Sequence, residues 1–419
     1  MIRPVIGTIA TRVMVMLMNI AVIMIAGHRL GANGLGDISL VVLGITFILL
    51  LSNVIGGGAI VYLLPRHHLR TLLLPSYAWA VITSLIAFMV IENFKVVPTG
   101  TEIHVVILAL LQSIYTIHFN VLLGRERIHV INLLQLLQAT ILIVAFAILI
   151  ERAVTPDVMI YVKASYFAFA TTGIVSAITI SMFWRSSSSV ERSPVIGKMI
   201  RQGGSIQIAN FLQLLNYRLA YYLLERYQGL SALGIYSVSN QLAESAWLGP
   251  KSIASVLYGK VSNTPDPLQN QRLTITAAKV SVLMALAVIV VVALVPDHVY
   301  QWLFGEEITG MSEIILLLSP GIIAMSISQA LSHYYSGSGL NVHNAAGSAI
   351  GVAATLCFGF WLIPAWGIAG AAMTASIAYL LNTIYQLIVF LRTTGTPLAK
   401  FWLNADDRQQ ISFILKWIR

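Results

Sequence analysis

Arg12, Arg218, Lys251 and Glu244 are the ionisable residues that stand inside long apolar segments of this sequence. A cation at bilayer mid-depth costs at least ~2.5–3.5 kcal/mol on insertion scales. Cations that outnumber carboxylates at that depth imply either a wet cavity or an anionic ligand. Arg218 shares a helix face with Gln207, Asn210 and Tyr221, a polar stripe that suits a cavity wall better than lipid. The other reading is an arginine snorkelling to the outer interface within a belt of Tyr217, Tyr221 and Tyr222. Arg12 shares a face with Asn19 and lies about 10 Å from the inner end of its helix at ~1.5 Å per residue. It lines a cavity or snorkels, and both readings stand.

Tyr236, Asn240, Glu244, Trp247 and Lys251 form a second stripe at helical spacing. Glu244 falls near mid-depth, where a carboxylate serves as a cation counter-ion or a protonatable coupling site, or bonds a neighbouring helix as the neutral acid. Lys251 follows Gly249 and Pro250, a kink whose freed carbonyls need partners; it is an interfacial anchor or a substrate contact. Gln112, His118, Asn120, Asn132, Gln135 and Gln138 either line the same cavity or bridge helices, the commoner role of such residues. His118 and His333 are read as satisfied packing residues rather than proton relays. Pro320 is expected to break its span.

The elements that position these groups follow from composition. Of 419 residues, 58% are hydrophobic and 10% charged, with a mean hydropathy of +0.83. Soluble domains carry roughly 25% charged residues, so lipid is the solvent here. Continuous apolar runs of about 20 residues then mean helices rather than a barrel. The spans fall near 5–28, 37–64, 70–91, 102–123, 130–150, 158–184, 199–224, 231–258, 274–296, 312–335, 343–363 and 367–391. The first is read as a membrane helix rather than a signal peptide, since no small-residue pair marks a cleavage site.

Charge orients the bundle. Arg66, Arg70, Arg125, Arg127, Arg185, Arg192, Lys198, Lys260, Arg272 and Arg392 fall on the side of the N-terminus, whereas Arg29, Lys95, Arg152, Lys163 and Arg226 fall opposite. The positive-inside rule then puts both termini in the cytoplasm. That bias accounts for the net charge of +9 without nucleic acid. Cys357 is the sole cysteine, so no internal disulfide forms. No zinc spacing or Rossmann pattern occurs, and Pro250 stands where a P-loop needs glycine. The expectation is a non-enzyme with no metal and no cofactor, open to coupling with a proton or sodium gradient.

Gly31, Leu35, Gly36 and Ser39 recur as Gly229, Leu233, Gly234 and Ser237 at one shift of 198 residues. Six helices separate the copies, which implies two parallel six-helix lobes. The lobes are placed at 1–197 and 198–392, with a cytoplasmic tail at 393–419. Ile411, Ile414 and Ile418 beside Arg408 and Lys416 allow that tail a surface amphipathic helix.

Several stretches carry a resemblance: Leu30-Gly31 through Gly36-Asp37-Ile38-Ser39, Gly124-Arg125-Glu126-Arg127-Ile128, and Leu233-Gly234-Ile235-Tyr236-Ser237-Val238 leading to Gln241-Leu242-Ala243-Glu244. Ser336-Gly337-Ser338-Gly339 and Ile363-Pro364-Ala365-Trp366-Gly367-Ile368-Ala369-Gly370 continue it. With them the chain resembles the polysaccharide-exporter branch of the multidrug/oligosaccharidyl-lipid/polysaccharide (MOP) flippase superfamily, which includes O-antigen flippases. The resemblance implies an all-α protein of about twelve transmembrane helices whose lobes rock between inward- and outward-open states. It also implies a basic cavity for a polyprenyl-diphosphate-linked glycan, in a bacterial inner membrane. Membrane lipids and a polysaccharide polymerase or glycosyltransferases are the partners it implies. Arg218 is expected on the diphosphate because a guanidinium fork matches phosphate oxygens, Arg12 near the inner gate, and Glu244 at a coupling cation. A cation-coupled drug exporter of the same superfamily is the nearest alternative, though the first lobe's spans hold no carboxylate beyond Asp37 and Glu102 at their first residues. A non-transporting scaffold for polysaccharide assembly and a membrane glycosyltransferase are more distant ones.

Overall fold

A computed structural model describes residues 2–64, 67–182, 195–263 and 266–402, and among them there is no strand. The chain is all-α, as lipid demands of a backbone that must satisfy its own hydrogen bonds. The helices run α1 (Ile2–Gly56), α2 (Gly58–Leu63), α3 (Leu69–Phe94), α4 (Glu102–Gly124), α5 (Ile128–Arg152), α6 (Val158–Ser181), α7 (Val195–Glu244), α8 (Leu248–Asn263), α9 (Pro267–Ala293), α10 (Asp297–Phe304), α11 (Met311–Gly337) and α12 (Val342–Thr394). A 3-10 turn, Ser245–Trp247, joins α7 to α8.

Three of these helices are too long to cross once. At ~1.5 Å per residue a helix of 50 or more residues reaches beyond ~75 Å, against a hydrocarbon core of ~30 Å. Each carries a glycine at positive φ that lets the chain change direction: Gly31 (φ 67°) in α1, Gly229 (φ 82°) in α7 and Gly367 (φ 55°) in α12. A Cβ on Gly359 would lie 3.6 Å from Thr374, fifteen residues along the chain, so α12 doubles back at Gly367. Gly31 and Gly229 are the pair aligned by the 198-residue repeat, and both combine positive φ with ψ near 180°.

Eight helices of the described residues are long and apolar enough to cross a membrane. With α1 and α12 each split in two, and α7 and α8 supplying the seventh and eighth, the described residues provide twelve candidate spans. The more polar α7 lies outside that set of eight, and it is the helix that carries Arg218. Three local expectations need correction. Residues 32–36 are helical, so the first link is a single-residue break rather than a loop. Pro320 does not break its span, because α11 continues through it. The interruption expected at Gly249 and Pro250 falls earlier, at Ser245–Trp247, and Pro250 sits in the first turn of α8, where a missing N–H leaves no bond unmade. The serine run Ser186–Ser189 and the tail residues Ile411, Ile414 and Ile418 lie outside the described residues.

The chain divides into two compact units, Met1–Phe211 and Leu212–Arg419. In the first, α4 packs on α1, α3 and α6, and α5 on α1 and α6; Ile60, Leu72, Leu73, Ile117 and Val121 are core residues. In the second, α11 packs on α8, α9 and α12, and Ile253, Leu257, Ala277 and Ala330 are buried together. Small residues bring helices close. A Cβ on Gly321 would come 2.5 Å from Ser376 Cα, so α11 and α12 touch through their backbones there. Large apolar side chains such as Leu74, Leu85, Met89 and Leu133 point outward, where lipid solvates them.

Two outcomes test this architecture. A Cβ at Gly229 meets nothing within 4 Å, so Gly229→Ala charges only the backbone for its conformation, about 1–3 kcal/mol. Thermal unfolding in detergent should fall accordingly; an unchanged melting temperature would show that the turn is not held there. Asp297, outside the spans, accepts from the Ser312 backbone N–H at 2.9 Å, which holds its carboxyl below the usual range. That tie contributes stability above the unfolded pKa near ~3.9 and loses it as pH falls through the lower folded value. The melting difference between wild type and Asp297→Asn should therefore shrink below about pH 4, and a difference constant with pH would refute the ionised tie.

Candidate functional site

A straight helix would hold residues 218 and 244 about 39 Å apart. Instead Arg218 Nη1 donates to Glu244 Oε1 at 2.5 Å and Nη2 to Oε2 at 2.8 Å. The turn at Gly229 therefore folds the second part of α7 back along the first and closes a bidentate ion pair. The two side chains are 23% and 16% exposed. Asn240 Nδ2, one turn before Glu244, donates to Glu244 Oε1 at 2.8 Å and lies 3.2 Å from the Tyr221 hydroxyl. The Arg218 guanidinium sits 5.1 Å from the centre of the Tyr221 ring, close enough for a cation–π contribution.

Aromatic side chains wall this pair. Tyr217, Trp247 and Tyr379 pack with ring centres 5.4–5.7 Å apart, and Tyr236 packs edge-on to Tyr221 at 5.5 Å. Trp247, Tyr236 and Tyr379 are fully buried. The Tyr236 and Tyr379 hydroxyls and Asn240 Oδ1 are buried with no hydrogen-bond partner. Each such group costs about 1–3 kcal/mol if left unmet, so these three atoms are open to a polar partner. Lys251, exposed on α8, places its Nζ 5.4 Å from the Trp247 ring. This part of the fold thus assembles two cations and one carboxylate.

The other sequence candidates lie elsewhere. Arg12 is exposed on α1. Asn210 donates to Gln207 at 3.3 Å, on the part of α7 that belongs to the first unit. Arg218 and Glu244, given separate duties by the sequence, are one pair. His118 is a satisfied packing residue: its Nε2 meets the Tyr77 hydroxyl and its Nδ1 the Ser176 hydroxyl, each at 2.7 Å. Ser176 donates to Gly173 O, so it accepts from Nδ1–H, and the tautomer follows from that network. His333 Nδ1 lies 2.9 Å from Gln329 O. Asn120 donates to Gly56 O at 3.0 Å and ties down the end of α1. Among the described residues no group of three His, Cys, Asp or Glu is placed to hold a metal.

Sequence reasoning missed the contribution of α12. Ser376, Tyr379, Asn382 and Gln386 recur at spacings of three and four, the same signal that singled out Glu244. Gln386 Oε1 accepts from Ser328 at 2.7 Å, Gln386 O from the Tyr335 hydroxyl at 2.6 Å, and Ser376 reaches the backbone of α11. These bonds hold α11 against α12.

The fold is that of a MOP transporter. A lipid II flippase, MurJ, in an inward closed conformation superposes with a TM-score of 0.71 at 13% identity, covering 100% of this chain and 92% of that one. An inward-facing multidrug resistance MATE transporter of the MOP superfamily gives 0.71 at 13%, covering 98% and 99%. A point mutant of the Vibrio cholerae MATE transporter VcmN gives 0.64 at 13%, covering 96% and 97%. No curated protein matches the chain in sequence. The model of a family described as polysaccharide biosynthesis protein matches residues 73–313, more than half of the chain. The protein belongs to that family, and family and fold together place it in the MOP flippase superfamily.

The pairing sets a stability test. Arg218→Ala strands a part-buried carboxylate and should destabilise the protein by up to about 3 kcal/mol, the low end for a buried pair, whereas the double change Arg218→Met with Glu244→Leu should recover most of that loss. Thermal unfolding of the purified protein reads both. A single variant as stable as wild type would mean that the pair carries no structural weight.

Proposed function

We propose that this protein is a flippase that moves a polyprenyl-diphosphate-linked oligosaccharide from the cytoplasmic to the outer leaflet of a bacterial inner membrane. The cargo serves assembly of a surface polysaccharide of O-antigen or capsule type, and movement is by alternating access. The supporting observation is the part-buried guanidinium of Arg218, in a helix read from the sequence as a span, in a chain of a polysaccharide biosynthesis family with the fold of MOP transporters.

The chemistry runs as a competition. Arg218 has five N–H donors in a rigid fork, and Glu244 takes one from each terminal nitrogen. A diphosphate brings more negative charge than one carboxylate and the same bidentate geometry. Bound there, it shares or displaces Glu244, with Tyr221 and Asn240 as hydroxyl and amide contacts and Lys251 as a second cation. A displaced Glu244 is a free carboxylate at membrane depth and takes a proton or sodium ion, which links cargo to an ion gradient. Arg12, Gln207 and Asn210, in the first unit, are polar groups that a glycan or diphosphate could use as contacts there. Both termini face the cytoplasm on the charge bias of the loops, and glycosyltransferases or a polysaccharide polymerase are the partners that such a cargo implies. The work is transport rather than catalysis.

A cation-coupled drug exporter is the second reading, favoured by the likeness to multidrug transporters and by the Glu244 carboxylate. Arg218 weighs against it, because it already occupies that carboxylate. A scaffold for polysaccharide assembly would need no ion pair at this depth.

Vesicles containing the purified protein and a fluorescent lipid-diphosphate-linked glycan decide among these. Wild type should expose the glycan to the outer face. Arg218→Lys keeps the charge but loses the fork, and should slow export by about tenfold or more, as a charged hydrogen bond worth ~1.5–3 kcal/mol requires. Full activity in Arg218→Lys would reject the diphosphate role. Transport of a cationic dye but not of the glycan would favour the drug exporter, and transport of neither would favour the scaffold.

A further inference from the structure

α11 has a weak point where it meets the ion pair's surroundings. Pro320 lies inside the helix and has no N–H for the carbonyl four residues earlier. The next amide, Gly321 N–H, donates to Ser376 Oγ of α12 at 2.8 Å. One residue further, Ile322 O accepts from Trp247 Nε1 at 2.9 Å. Two side chains from two other elements are thus bonded to the backbone of α11 at consecutive residues beside its proline. Gly321 makes the approach feasible, since any Cβ there would run into Ser376.

Trp247 is also the last residue of the 3-10 turn that begins immediately after Glu244. In a 3-10 turn residues three apart eclipse, so Glu244 and Trp247 share a face. Arg218's neighbour Tyr217 packs on Trp247, and Tyr379, one turn beyond Ser376 on α12, packs on both. A short 3-10 stretch between two α-helices tightens or relaxes with less loss of bonding than a helix interior.

We propose that α11 hinges at Pro320 and that Trp247 sets the hinge according to the state of the Arg218–Glu244 pair. With the pair closed, the 3-10 turn holds Trp247 on Ile322 O, and Ser376 completes the clamp. When Glu244 leaves Arg218, the turn relaxes, Trp247 withdraws from Ile322, and α11 bends at the proline. Trp247 and Ser376 are positioning residues in this account; neither touches the cargo. The proposal rests on the transport reading for its purpose, but the linkage itself is a property of the second unit alone.

The test is a distance measurement that needs no transport. In the full-length protein with Cys357→Ser, spin labels at Glu313→Cys and Ser338→Cys flank the proline, about 37 Å apart along a straight helix. The parent should show one narrow distance distribution by pulsed electron resonance. Trp247→Phe, which keeps an aromatic ring but loses the donor, and Ser376→Ala should each add a second, shorter distance. Glu244→Gln should do the same, and should add nothing further in the Trp247→Phe background. An unchanged distribution in both Trp247→Phe and Ser376→Ala would overturn the hinge; so would a Glu244→Gln effect that persists in full beside Trp247→Phe. Should Trp247→Phe fail to fold, Ser376→Ala by itself decides whether the clamp holds α11 straight. A responsive hinge in a protein that moves no glycan would reject the cargo and leave the hinge standing, whereas glycan export with an unresponsive hinge would reject only the hinge.

Discussion

Charge inside a membrane must be met by charge, and Arg218 and Glu244 meet that requirement for each other through one bidentate contact. Much else there can be traced to it. The positive-φ glycine at 229 folds α7 back so that the two residues meet. Asn240 and Tyr221 complete the shell, and the aromatic side chains of Tyr217, Trp247 and Tyr379 exclude water from one side of it. Two charges that would each be expensive alone become a stable but breakable unit.

Neutral polar groups obey the same rule at lower stakes. His118 is held by Tyr77 and Ser176, and Gln386 by Ser328 and Tyr335, so that each fixes a helix contact instead of exposing a dipole to lipid. Tyr236, Tyr379 and Asn240 are among the residues that depart from the rule, and theirs are the unmet polar atoms close to the charged pair.

The pairing also changes what an anionic cargo must do on arrival. An excess of buried cations, taken as a sum, treats each as an empty socket for phosphate. Arg218 is occupied, so an incoming phosphate must compete for it. Competition gives the protein a resting state without cargo and a carboxylate that is released when cargo binds, which a lone arginine would not provide. Family and fold place the chain among transporters and polysaccharide proteins; the cargo and the driving ion are the proposal built on that competition.

Some of this was settled by the residues alone. Twelve apolar stretches and the 198-residue echo are legible because lipid leaves a helix as the only local solution; that the chain turns at single positive-φ glycines, Gly31, Gly229 and Gly367, was shown by the structure. The stripe from Tyr236 to Lys251 was legible for the same reason, helical spacing being a local property. Which residues meet across helices was not. The contact of Arg218 with Glu244 and that of Ser376 with Gly321 depend on how helices rotate and cross, and spacing within one helix carries no information on that. Nor could spacing show that α11 continues through Pro320, since the bond that reinforces it comes from α12. Depth and polarity were written in the sequence; partnership was decided only when the helices packed.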